Sequence, residues 1–179
     1  MEAKELLTKR QIEKLAAPYS EEELSIGLWW DDREYDVFVS HASEDKEFIK
    51  KVLLFLKHSK GVTDAYVDWQ DPDMQHETDA QTAVDLKIRI GRARKIIYVA
   101  TAKSLSSVWC SWEIGYADCE KGVENVAILA ILPNNRRFKK NEYLQQYPWI
   151  YYDTDEHLSM VAKPGGDRVT LYHWLKEGK

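Results

Sequence analysis

The chain has 179 residues, 44% hydrophobic and 31% charged, with a net charge of −5, which gives room for one substantial core plus an extension. The acidic balance argues against nucleic acid as the main partner, because phosphate binding needs a basic face. No apolar run approaches the ~18–20 residues of a membrane span and no signal-peptide core opens the chain, so the expectation is a cytoplasmic protein with no membrane partner.

Residues 2–17 contain no Gly or Pro and many good helix formers. The pattern predicts a helix with Leu7, Ile12 and Leu15 on its apolar face, closed by Pro18. Residues 19–33 read as an acidic connection in which at least one of Trp29 and Trp30 packs, since two exposed indoles are costly. Residues 1–33 are therefore expected to form an N-terminal helical extension, and residues 34–179 the main domain.

From Tyr35 short apolar runs alternate with helical patterns. Strands are predicted at Tyr35–Ser40, Ala65–Trp69, Lys95–Thr101, Val126–Pro133 and Trp149–Asp153. Helices are predicted at 43–60, 79–93, 107–121 and 168–177. The runs 95–100 and 126–132 are apolar throughout, not alternating, as parallel strands covered on both faces are. Five such strands with intervening helices indicate a doubly wound α/β sandwich.

In the helix over 43–60, Ser43 is a candidate cap, Glu44 and Asp45 suit the positive end of the dipole, and Gly61 is a stop signal. In the helix over 79–93, Ala83, Leu86 and Ile90 face inward, with Lys87, Arg89 and Arg92 outward. Between strand and helix, residues 70–81 carry Asp71, Asp73, Glu77 and Asp79. EF-hand spacing and its central Gly are missing, so a solvated or partner-contact loop is expected rather than a calcium site.

Several chemistries are not written here. The eight glycines form neither G-x-G-x-x-G nor a Walker A loop. His41, His58, His76, His157 and His173 lack metal-ligand spacing, and two cysteines make a zinc site improbable. No G-x-S-x-G elbow supports a hydrolase triad. Cys110 and Cys119 fall on one predicted helix, roughly 13 Å apart along its axis, which is beyond disulfide reach. Cys110, at a helix start, is a possible nucleophile, but it shares a side with Ile114 and Ala117 and reads better as a core thiol.

The stretch Ser107-Val108-Trp109-Cys110-Ser111-Trp112-Glu113 opens the helix to which the rest points. Helical spacing puts Trp109, Glu113, Tyr116 and Glu120 on one stripe. A flat π surface one turn from a carboxylate suits ring stacking and a developing cation. A surface Glu beside a core-covering Trp is the plainer alternative.

Two segments carry a family resemblance. Tyr35-Asp36-Val37-Phe38-Val39-Ser40-His41-Ala42-Ser43-Glu44-Asp45 resembles the first box of Toll/interleukin-1 receptor (TIR) domains, nearest to their bacterial form. Trp109-Cys110-Ser111-Trp112-Glu113 matches that family's W-C-x-x-E signature. The likeness covers about residues 34–177. It implies a flavodoxin-like three-layer sandwich on a five-stranded parallel sheet in the order 2-1-3-4-5. Ligands in such sheets bind outside the carboxyl ends of strands where the order reverses. Ser40–Asp45 and Thr101–Trp109 then converge on one crevice.

TIR domains include interaction modules and enzymes that cleave NAD at the nicotinamide–ribose bond. In the enzymes the Glu of the signature is catalytic, which maps onto Glu113. The resemblance implies that Trp109 stacks on a substrate ring, Ser40 and His41 line the pocket, and Asp68 and Trp69 add contacts from the second strand. NAD is then a substrate, with no cofactor and no metal. Self-association through TIR–TIR contacts follows, as does a separate effector protein that senses the product in bacterial anti-phage signalling. Residues 70–81 depart from the family in having neither Gly nor Arg, and Asp71 and Asp73 are expected at a subunit contact. The competing expectation is a non-catalytic module that binds other TIR domains. The retained Trp109 and Glu113 favour the enzyme.

Overall fold

A computed structural model of the chain describes residues 6–24, 34–59, 62, 64–70, 80–133, 141–156, 158–163 and 165–177. Trp29, Trp30, Gly61 and the acids Asp71, Asp73, Glu77 and Asp79 lie outside the described residues.

The centre is built by the two continuous apolar runs. They form β4 (Ala93–Ala100) and β5 (Val126–Leu132), and every residue of β5 is buried. β2 (Tyr35–Ser40) lies on the other side of β4, and β3 (Ala65–Tyr66) on the far side of β2. β6 (Trp149–Asp153) follows β5, and all four pairings are parallel. The expected order of the five strands is the observed one. Helices α2 (Lys46–His58) and α5 (Leu171–Lys176) cover one face; α3 (Ala80–Arg92) and α4 (Val108–Lys121) cover the other. The result is a three-layer flavodoxin-like sandwich.

The sheet is larger than five strands. β7 (Leu158–Ala162) returns antiparallel on β6, and β8 (Arg168–Thr170) antiparallel on β7. The last helix therefore starts at Leu171, with Thr170 Oγ1 accepting from the His173 N–H, instead of spanning 168–177. Residues 168–170 have partners across the sheet that no local pattern reveals.

The N-terminal helix is also shorter than expected. Thr8 is its cap, closed reciprocally with Gln11, so α1 covers only Lys9–Ala16. Leu7 and Thr8 become a short strand, β1, paired with Ile131 and Leu132 of β5. Leu7 and Ile12 enter the same core as α2 and α5. The extension is thus docked on the sheet, and Lys57 Nζ and His58 Nε2 of α2 contact the Glu23 carbonyl and carboxylate respectively.

Three local expectations change. Ser43 lies in a 3-10 turn, Ser43–Asp45, and does not cap α2; its hydroxyl donates to Glu44 Oε2 at 3.3 Å. β3 stops at Tyr66, and Asp68–Gln70 form a 3-10 turn. Arg89 does not face outward. It is buried, with its guanidinium 5.8 Å from the Tyr66 ring centroid, and its carbonyl accepts from Tyr35 Oη. A long stem over an aromatic ring lets a cation lie against the core.

Candidate active site

The strand order reverses between β2, whose other neighbour is β3, and β4, and outside the carboxyl ends of such a pair is where open α/β sheets carry their ligand crevice. α4 brings its first two turns to that edge. Ser107 caps it by accepting the Cys110 N–H at 3.2 Å, and Gly122, with φ of 83°, ends it.

Glu113 is buried at 8% exposure, on the same helix face as Cys110, Ile114 and Ala117. Those spacings of three and four residues are the core stripe of α4. Glu113 therefore does not share an outward stripe with Tyr116 and Glu120, as the sequence suggested. The stripe divides: Trp112 stacks on Tyr116 with centroids 5.7 Å apart, Trp109 meets Trp112 edge-on at 5.8 Å, and Glu120 is exposed. Lys87 of α3 lies over the faces of both Trp112 and Tyr116.

A carboxyl in a core stripe needs a polar partner, and the last residue of β2 supplies it. Ser40 Oγ lies 2.5 Å from Glu113 Oε2 in a buried hydrogen bond. Desolvation pushes the Glu113 pKa up to about 8, against the lowering effect of the Ser40 hydroxyl, with a smaller upward push from Asp68. Burial thus favours the protonated form of Glu113. Cys110, one turn earlier, is pushed up to about 12, chiefly by burial. It is a core thiol and no thiolate nucleophile.

His41 follows Ser40 and is also buried. Its Nδ1–H donates to the Val39 carbonyl at 2.8 Å. Nε2 lies 3.3 Å from Asp68 Oδ1, and the ring stands edge-on to Trp69 at 4.6 Å. Asp68 Oδ1 also accepts the Trp69 N–H at 2.7 Å. Two groups therefore meet at the crevice: Ser40 with Glu113, and His41 with Asp68 and Trp69. Trp109 is half-buried in the first turn of α4, one turn before Glu113.

From the sequence, Asp45 is named only for the helix dipole and Thr101 only as a loop start, with no contact between them. Thr101 Oγ1 donates to Asp45 Oδ2 at 2.6 Å, joining the loop after β4 to the loop after β2. Lys103 Nζ adds a 3.2 Å ion pair to Asp45 Oδ1 and a hydrogen bond to the Glu44 carbonyl. Ser104, fully buried, accepts the Thr101 N–H and donates to the Val99 carbonyl. An acid at the end of one loop motif and a Thr-x-Lys in the other was the available signal. Among the described residues no group of three His, Cys, Asp or Glu could hold a metal ion, and no helix is long and apolar enough to cross a membrane.

A family model described as "TIR domain" matches residues 37–161. The chain is 31% identical over 121 residues to a probable 3′ cyclic ADP-D-ribose synthase of Bacillus cereus (strain MSX-D12), covering 65% of this chain and 60% of that protein. It is 39% identical over 87 residues to a candidate cyclic ADP-D-ribose synthase of Cytobacillus dafuensis, covering 46% of this chain and 22% of that protein. Among solved structures, the TIR domain of a Toll-related receptor from Hydra magnipapillata aligns with a TM-score of 0.44 at 21% identity, over 62% of this chain and 78% of that one. The chain thus spans less than two thirds of the length of both bacterial relatives. With the family model covering most of the sandwich, from β2 into β7, the chain belongs to the TIR domain family.

Proposed function

We propose that the chain is an NAD-consuming TIR enzyme that breaks the nicotinamide–ribose bond, with Glu113 as the catalytic carboxylate. The observation that carries this reading is the buried Glu113 carboxyl, held by Ser40 Oγ at the switch-point crevice. The names of both bacterial relatives, cyclic ADP-D-ribose synthases, support the same substrate and a cyclic product.

The chemistry needs little beyond one anion. The glycosidic C–N bond breaks and its electron pair returns to the nicotinamide ring nitrogen, so a cationic leaving group departs neutral without a general acid. The ribosyl cation left behind faces Glu113, whose ionised form stabilises it in a site shielded from water. An acceptor oxygen or nitrogen then bonds to the anomeric carbon and loses its proton to solvent or to the Glu113 carboxylate. His41, buried against Asp68 and Trp69, shapes the wall of the site. Trp109 offers a π face for a substrate ring. Burial favours the neutral carboxyl, and a cationic nicotinamide ring beside it favours the ionised form.

Self-association belongs to the same reading. Val84 and Ile88, one turn apart on α3, are 47% and 45% exposed, an apolar stripe suited to a second TIR domain. A cyclic product fits a diffusible signal read by a separate effector protein, in bacterial immunity. The test is incubation of concentrated protein with NAD and identification of products by mass. Free nicotinamide with a cyclic ADP-ribose is expected. Intact NAD at high protein concentration would leave the chain as a non-catalytic TIR module.

A further inference from the structure

The amino end of the sheet carries a second feature. A cavity of about 230 Å³ opens where β4 begins, lined by four cations, Arg92, Arg94, Lys95 and Lys121, against two acids, Glu34 and Glu177. Three of the cations have local duties. Arg92 ends α3 and Lys121 ends α4, where basic residues oppose the negative end of a helix dipole. Lys121 Nζ also donates to the Gly91 carbonyl at 2.5 Å, and Arg94 pairs with Asp36.

Lys95 has no such account. It is 3% exposed, yet its ammonium donates to Asn125 Oδ1 at 2.5 Å and lies over the Trp174 ring, 5.1 Å from the centroid. Neither neighbour carries a charge. Burial pulls its pKa below the usual lysine range, against smaller through-space effects of Glu177 and Glu124. An ammonium has three donors, and among the described residues no carboxylate pairs with this one directly, which is costly for a buried cation. Glu177 is paired with Lys163 at 2.8 Å.

We propose that this cavity binds a small phosphate-bearing anion, with Lys95 at its base and Arg92 and Lys121 at its rim. It has room for a phosphate or diphosphate group. Such a ligand places an anion directly against the Lys95 ammonium. The cavity lies at the far end of two elements that reach the crevice: β4 runs from Lys95 to Tyr98 and Ala100, and α4 runs back from Glu113 to Lys121, about 12 Å along the helix. A ligand here is an effector, separate from the substrate that meets Glu113.

The test uses pyrophosphate titrated into the full chain at constant ionic strength, followed by amide NMR and thermal melting. Expected are shifts at the amides of Lys95, Lys121 and Asn125 and a rise in Tm. Lys95→Met keeps the stem over Trp174 and removes the charge, and it should weaken binding at least tenfold. Should that variant not fold, the double variant Arg92→Gln with Lys121→Gln must weaken binding to the same degree. Shifts confined to residues 40–45 and 101–104 would mean that pyrophosphate occupies only the crevice, and would overturn the proposal. So would unchanged affinity in the variants, or no binding at all.

Discussion

Ser40 Oγ and Glu113 Oε2 are 2.5 Å apart inside the protein, joining the end of β2 to the second turn of α4. This bond is the main interaction opposing the desolvation that drives the Glu113 pKa up to about 8. The kcat/KM for NAD should therefore rise with pH and level off above an apparent pKa near 8, because that ratio reports the free enzyme. Ser40→Ala removes the stabilised carboxylate's donor and should move the curve to higher pH. A profile flat from pH 6 to 9 would remove Glu113 from the reacting group.

Glu113→Gln separates rate from stability. Loss of the preorganised charge should cost about 10²–10³ in turnover. Stability should change the other way. A carboxyl with a raised folded-state pKa binds more protons folded than unfolded between about 4.5 and 8, so wild-type stability falls as pH rises through that window and is unaffected by this group outside it. The Gln variant escapes that loss, and its advantage should grow to a few kcal/mol by pH 9. Melting curves at pH 4.5 and pH 9 check the sign; an equal Tm difference at both would contradict it.

Trp109 touches Trp112 edge-on and packs beside the α3–α4 core. Trp109→Ala should raise KM and lower kcat, with Trp109→Phe keeping part of both, as a stacking surface requires. If activity and Tm fall together in both variants, the indole is a core cover and not a substrate platform.

The loop tie between Thr101 and Asp45 should matter more for catalysis than for folding. Thr101→Val keeps the shape and deletes one hydroxyl, costing about 1 kcal/mol of stability. Because both crevice loops are held by that contact, NAD turnover should drop by more than tenfold while the Tm moves only a few degrees. A turnover close to wild type would show that the loops hold their places without it.

Assembly is read from concentration dependence. Specific activity should climb across about a hundredfold range of protein concentration, enough to move a weak association from mostly free to mostly bound. Ile88→Glu, at an exposed position on α3, should flatten that climb without unfolding the chain. Full activity from a dilute monomer would exclude the requirement.

How much of this could be read without coordinates depended on whether the deciding contact was local. The unbroken apolar runs 95–100 and 126–132 indicated strands buried on both faces, and the W-C-x-x-E stretch with the box at Tyr35 placed Ser40, His41 and Glu113 near one crevice. Spacing on α4 also held the clue to Glu113, since residues 110, 113, 114 and 117 form the buried stripe.

What the tertiary structure alone decided has a common cause, which is pairing across long separations in sequence. Leu7 became a strand because Ile131 offered a free edge, and Arg168–Thr170 because Met160–Ala162 did. Arg89 turned inward because Tyr66 presents a ring beneath it. The charge state of Glu113 follows from being desolvated against a hydroxyl 73 residues away. Local periodicity encodes which face of an element is apolar; it carries no record of which distant polar atom that face will meet.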